Sequence, residues 1–331
     1  VTLRQAAVLG TAAVVLVIAA LASISLGSTT IPLRDVFDAL PVVGGGGVDR
    51  ATDQIINGLR IPRTVTAILV GAALGIAGAL LQGALANPLA SPDVVGVTAG
   101  AGFGAMLLLL AAPGAIALVP LSALFFGLVA TALVFTVAWA GRGGGSIARL
   151  ILAGIAVSAV FTAGTTALMT AYPDRVSSAI FFVAGYLSYD GWRVLQDVWP
   201  YLAVGFVAAA FLIRPLDRLA LGDDVAQSLG VRPRLVRLVA AGVAALLAAA
   251  AAALAGLLGF LGLVVPHAVR LAGGTASHRF VVPTSAVAGA ALLLVADTTA
   301  RRVAAPLDLP VGPFMVVLGV PLFLWLLRKA V

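Results

Sequence analysis

The side chains best equipped for chemistry in this sequence are few, and they sit in short polar islands. The stretch LALGDDVAQSLGVRPRLVR, Leu219 to Arg237, holds two adjacent aspartates and three arginines. Arg60 and Arg63 flank a proline in LRIPRT, Asp297 stands four residues before Arg301, and the histidines are His267 and His278. An arginine is always charged and presents a planar fork of donors that matches a carboxylate, so these positions suit recognition of acidic groups. A carboxylate buried in a membrane span can relay a proton. Asp297 comes nearest to such a place, but its spacing from Arg301 is that of a helical ion pair, which points to a structural role at an outer surface. The remaining aspartates fall at or near the ends of apolar runs, which weighs against an ion-coupled carrier.

Other chemistry is excluded by residue type. The one lysine, Lys329, is followed by Ala330, so no glycine-rich loop has the lysine that reaches a nucleotide phosphate. There is no glutamate, hence no HExxH, and two histidines cannot supply the usual three or four zinc ligands. His267 reads as a hydrogen-bonded helix-end residue. With no cysteine, disulfides and thiolate metal sites are absent. The net charge of +7 would suit nucleic acid if gathered on one face, but in a chain of this composition positive loops set topology instead.

That composition is 62% hydrophobic and 10% charged over 331 residues, far above the apolar share of a soluble domain, so lipid must solvate the elements that position these islands. Charges are kept near membrane surfaces, and runs between them are candidate spans. Eight such runs occur: Gln5 to Leu33, Thr64 to Pro92, Val94 to Gly141, Leu150 to Pro173, Val198 to Ile213, Leu238 to Val269, Phe280 to Ala296 and Leu309 to Leu327. The third would be about 72 Å long as one helix against a core of roughly 30 Å, and AAPGA at Ala111 to Ala115 divides it. Gly256, Gly259 and Gly262 divide the sixth. The expectation is an all-α integral membrane protein of ten transmembrane helices, one transmembrane domain over 1–331.

The first run exceeds the apolar core of a signal peptide and is read as a span, although Ala20-Leu21-Ala22 has the pattern of a cleavage site. Ten crossings place both termini on one side. With that side cytoplasmic, its loops and ends hold twelve of the twenty basic residues, among them Arg4, Arg142, Arg149, Arg237 and Lys329. VSSAIFFVAGYLSY, 176–189, is too short to span and suits a helix on the outer surface or re-entering a protein-lined cavity, a candidate gate. Gly71, Gly75, Ala79 and Gly83 recur at four-residue spacing, as do Gly100 and Gly104, which lets helices pack closely in lipid. GIAGALLQ at Gly75 and GFLGLVVP at Gly259 echo each other faintly, as duplicated halves would.

The island at Leu219 to Arg237 has its own logic. Asp223 can cap a short helix, Gly230 can end it, and Pro233 prevents its continuation. Leu221, Val225 and Leu229 then share one face, leaving Asp224, Gln227 and Ser228 on the other, a two-faced knob spanning about 12 Å.

Four stretches together resemble the FecCD-type permease family of ABC importers for ferric siderophores, haem and cobalamin, including its cobalamin importer permease. They are LRIPRT at Leu59, GAALGIAGALLQGALANPLASPDVVGVTAGAGFGA at Gly71, GFLGLVVPHAVR at Gly259 and LPVGPFMVVLGVPLFLWLLRK at Leu309. The resemblance implies the type II ABC importer permease fold of ten helices, a second permease subunit as in a homodimer, two cytoplasmic ATPase subunits and an extracytoplasmic binding protein, in a cell's inner or plasma membrane. No cofactor belongs to this chain, since ATP and Mg belong to the ATPases, and no catalysis is expected of it. By family motif, Arg60, Arg63 and Arg301, assisted by Arg302, pair with acids on the binding protein.

The segment 215–234 matches the family's coupling segment, with Leu221, Gly222, Asp223, Asp224, Val225, Ala226, Ser228, Leu229 and Gly230 engaging the ATPase. Asp223 and Asp224 replace the family's glutamate pair. The proline-rich LANPLASPDVVG, Leu85 to Gly96, is expected to be a rigid cytoplasmic turn. A ferric siderophore is the expected cargo, with haem or cobalamin as alternatives on the same machinery and an ion-coupled secondary carrier as the alternative from another class.

Overall fold

A computed structural model describes residues 2–27, 29–39, 48–139, 147–187, 192–303, 305 and 307–330. Arg142, Ser188 and Tyr189, which entered the expectations above, lie outside them. Named helices are α1 (Leu3–Ser25), α2 (Leu33–Ala39), α3 (Arg50–Asp53), α4 (Ile61–Ala84), α5 (Val97–Met106), α6 (Val119–Trp139), α7 (Ile147–Ala171), α8 (Val176–Val183), α9 (Trp192–Leu219), α10 (Asp223–Ser228), α11 (Pro233–Ala255), α12 (Leu261–Gly273), α13 (His278–Val303) and α14 (Val311–Ala330). Among the described residues, seven helical stretches are long and apolar enough to cross a membrane, and three shorter apolar helices, Val97–Ala111, Leu261–Gly273 and Val311–Trp325, bring the set to ten. Both long runs divide where their glycines and proline suggested. Backbone with no water to bond must satisfy itself, which is why a chain of this composition folds as helices throughout.

The helix α4 is the hub, packed on α13, α11, α12 and α9. Its glycine face permits this. A Cβ on Gly71 would lie 2.5 Å from Gly289 O, one on Gly75 2.2 Å from Ser285 O, and one on Gly78 1.8 Å from Gly262 O, so the backbones of α13 and α12 occupy the space of missing side chains. Gly100 and Gly104 do the same for α5 against Phe126 and Ser122 of α6. By contrast α1 and α7 leave Val17, Ile18, Ile155 and Val160 exposed, as lipid-facing helices do.

Between α11 and α12 the helix is broken. Gly256 ends α11 at φ +68°, and Phe260 starts α12 at φ +66°, a conformation that a side-chain-bearing residue adopts only under constraint. The break is held by α8, for the Leu257 N–H donates to Phe182 O at 3.1 Å, and the Val311 and Gly312 N–H groups at the start of α14 donate to Gly185 O. The expected gate segment holds a helix over 176–183 that leaves Ile180, Phe181 and Val183 exposed and bonds the α11–α12 break through Phe182.

Leu85 to Gly96 departs from expectation. It leaves the end of α4 and climbs back between the helices. Pro92 lies against Gly262 beside Leu74 O, and Val94 O presses on Gly154 of α7. Leu74 is about 15 Å along α4 from Ala84, and Gly154 about 10 Å along α7 from Ile147. The prolines thus shape a re-entrant segment instead of a surface turn.

Because the carbonyl of Gly262 fills the position that a side chain on Gly78 would take, Gly78→Val must force α4 and α12 apart. Overpacking of this kind costs about 1–3 kcal/mol or more. Thermal unfolding of the purified protein should show a clearly lowered midpoint; an unchanged one would contradict the packing.

Candidate translocation and docking sites

Chemistry-bearing residues gather at the two ends of the bundle and at one point in its middle. One end carries α10, the start of α1 and the end of α4; there Arg4 donates to Leu271 O and Ala272 O, tying the first helix to the end of α12. The opposite end carries Arg60, Arg63 and Asp297.

At that opposite end, Arg63 donates to Asp297 through Nη2 at 2.8 Å and through Nε at 3.2 Å. Arg301 Nε donates to the second carboxylate oxygen at 3.1 Å, and its other nitrogens reach Ser23 and Leu26 O. The carboxylate is 0% exposed and the two guanidinium groups 1% and 2%. Tyr186, just beyond α8, lays its ring 5.2 Å from the Arg63 guanidinium carbon, so the gate segment touches this trio. Arg60 is also buried, donating to Ile24 O at 2.7 Å, Ser25 O at 2.9 Å and Thr29 O.

This corrects two expectations. The Asp297–Arg301 pair forms as its spacing predicts, but inside the protein instead of at its surface. And Arg60, Arg63 and Arg301 do not offer their forks outward, because acceptors within the chain already hold them. The arginines exposed at this end include Arg34, Arg50, Arg175, Arg193 and Arg302. Sequence gave no sign that Asp297 would reach Arg63, 234 positions away.

At the α10 end the island is as expected in outline. Among its apolar residues Leu221, Val225 and Leu229 are 60%, 46% and 48% exposed, a stripe turned away from the protein, while Ala226 is buried. Gly230, at φ +78°, closes the helix with the Val231 N–H donating to Ala226 O. Two details differ. The helix is six residues long, and its N-cap is Gly222 at φ +100° with no side-chain cap. Asp223 instead turns back to Arg237 in a two-pronged pair at 2.7 and 2.8 Å, and the guanidinium holds its carboxyl below the usual carboxylate range. Arg237 also donates to Ala84 O, so α10 is fastened through α11 to the end of the hub helix. Pro233, expected only to stop α10, begins α11.

In the middle, the re-entrant segment carries Asp93 with Ser91 and Thr98 into a cleft lined also by Leu74, Ala248 and Gly262. The Thr98 hydroxyl donates to the exposed Asp93 carboxylate. Asp93 looked like a boundary residue in sequence, yet it sits deep between the helices, where lipid cannot accept a carboxylate at reasonable cost. His267 lies within α12 behind Pro266, its Nε2 without a partner, so it is not the hydrogen-bonded helix-end residue expected.

A bundle of apolar helices with a broken helix and an outward-facing surface helix is an architecture that suits a membrane transport subunit. The chain belongs to the FecCD transport family, which it matches over residues 15–329. It is 38% identical over 320 residues to the iron(3+)-hydroxamate import system permease protein FhuB of Bacillus subtilis (strain 168), covering 95% of this chain and 81% of that one. It is 38% identical to the ferric enterobactin transport system permease protein FepG of Escherichia coli (strain K12), covering 92% and 90%. The cobalamin import system permease protein BtuC of Halobacterium salinarum is 34% identical, covering 88% and 82%. Among solved structures, a metal-chelate type ABC transporter in an inward-facing conformation superposes with a TM-score of 0.81 at 27% identity, covering 98% of this chain and 99% of that one.

Asp297 balances two buried guanidinium groups, so Asp297→Asn should cost about 3–5 kcal/mol, the usual penalty for stripping one partner from a buried pair. Denaturation of the purified variant reads this directly. Normal stability with lost transport would instead assign Asp297 to proton relay.

Proposed function

We propose that the chain is the permease subunit of an ATP-driven importer that moves a ferric siderophore into the cytoplasm by alternating access. The observation that carries this is α10, a short helix with an exposed apolar stripe, clamped by Asp223 and Arg237 to the helix at the centre of the fold. Such a part has no purpose in a carrier working alone. It suits a partner that pushes, and Leu221, Gly222, Asp224, Val225, Ser228, Leu229 and Gly230 form the face that the ATPase engages. A second copy of the chain completes the passage, and Asp93 lines it.

The α10 end is cytoplasmic in this reading, with both chain termini on that side, supported by its larger share of arginines. The opposite end receives the binding protein. Since Arg60, Arg63 and Arg301 are spent on internal acceptors, the exposed Arg34, Arg50 and Arg302 meet the binding protein's acids, and the buried trio keeps that surface in shape. Iron-chelate permeases among the relatives support a ferric cargo, while haem or cobalamin would use the same machinery.

Reconstituted with its ATPase and binding protein in liposomes, the importer should accumulate radiolabelled ferric hydroxamate when ATP is present on the α10 side. Accumulation of haem or cobalamin alone would reassign the cargo. Gly230→Trp should leave ATP hydrolysis running while uptake falls by at least about tenfold, because a bulky residue at a positive φ deforms the driven helix. Uptake at the normal rate would reject the coupling role.

Arg34→Glu with Arg302→Glu should slow binding-protein association about tenfold at low salt, as loss of rim charge does. Unchanged association would place docking elsewhere. Arg63→Glu should instead yield a destabilised protein.

A further inference from the structure

Beside α10 lies a cavity of about 360 Å³ whose lining includes Gln82, Asn87, Asp223, Arg237, Arg270 and His278. Its charges do not balance. Arg237 is neutralised by Asp223. Arg270, mostly enclosed near the end of α12, donates to the neutral Gln82 Oε1, and no ion pair among the described residues includes it. His278 hydrogen-bonds through Nδ1 to Asp217 at 3.1 Å, but its Nε2, fully buried, has no partner. It points at Gly83, where a Cβ would lie 2.1 Å away. Asp217 is committed to the His278 backbone and ring and to Arg279. At the rim, Asn87 accepts from the Leu89 N–H, which leaves its amide nitrogen as a donor.

A largely enclosed guanidinium without a counter-charge is costly unless an anion completes it. The cavity is walled by the ends of α4, α9, α11, α12 and α13, and Gly222 and Asp223 form part of its edge, so its mouth belongs to the same end as the exposed stripe of α10. Whatever docks on α10 covers this mouth.

We infer that the cavity is a socket for a carboxylate side chain of the ATPase subunit, with Arg270 supplying the fork. This rests on the reading of α10 as the ATPase contact, but assigns a second, electrostatic contact beside the apolar one. The helix stripe provides apolar area, and the socket fixes orientation by a charge-assisted pair.

The test uses full-length permease in nanodiscs and its purified ATPase, with affinity measured at low and high salt. Arg270→Gln should weaken ATPase binding at least about tenfold and flatten its salt dependence, with Arg270→Lys restoring part of both. Asn87→Asp should also weaken binding, by giving Arg270 an acid within the chain while leaving the packing intact. Wild-type affinity and salt dependence in either Arg270→Gln or Asn87→Asp would overturn the socket. So would an Arg270→Gln effect confined to nanodiscs containing anionic phospholipid, which would make a lipid headgroup the ligand. Failure of wild-type permease to bind the ATPase at all would instead reject the importer assignment, and the socket with it.

Discussion

Everything in this fold depends on how closely other backbones approach α4. Lipid offers no hydrophobic force to press helices together, so contact has to come from packing, and packing improves as side chains vanish from the interface. The glycine face of α4 brings the carbonyls of α12 and α13 to distances that no other residue would allow. The polar fastenings of the protein then sit at its two ends. Arg63 reaches Asp297 at one, and at the other Arg237 reaches Ala84 O and Gln82 reaches Leu263 O.

The middle of the bundle is where regular helix is given up. The broken turn between α11 and α12, the short helix α8 and the segment from Leu85 to Gly96 all bring irregular backbone to membrane depth, which is tolerated only where protein or a water-lined cavity surrounds it. These pieces adjoin one another, with Pro92 against Gly262 and the Phe182 carbonyl against Gly256 and Leu257. Hydrogen bonds from Leu257 to the Phe182 carbonyl and from Val311 and Gly312 to the Gly185 carbonyl hold these pieces together.

Much of this was legible in sequence, because charge is so expensive in lipid that its positions mark where helices end. Eight runs follow from that one cost, and helix length with the glycine and proline breaks at Ala111 to Ala115 and Gly256 divides two of them to make ten. The knob at α10 was legible because Gly230 and the Leu221, Val225, Leu229 repeat are local signals. Pairings across the fold were not. Arg63 and Asp297 are near in space only because two glycines, Gly71 and Gly289, meet, and neither position advertises its partner. Prolines in Leu85 to Gly96 exclude helix without saying whether the chain stays at the surface or turns inward, so Asp93 was placed at the wrong depth. Arg270 carried no local signal of its isolation, since an absent counter-ion shows only when all neighbours are known.

The trio around Asp297 also bears on how the protein is made. Arg63 leaves the ribosome 234 residues ahead of the carboxylate that will neutralise it. At about 5–20 residues per second the interval is roughly ten to fifty seconds. During that time the first half of the chain already occupies the bilayer with a cation awaiting its acid, held near the aqueous edge where water can still solvate it. Final seating of α4 therefore belongs to a late stage of biogenesis, after α13 has been inserted. A chain interrupted before that helix would keep the hub but lack the carboxylate that neutralises it.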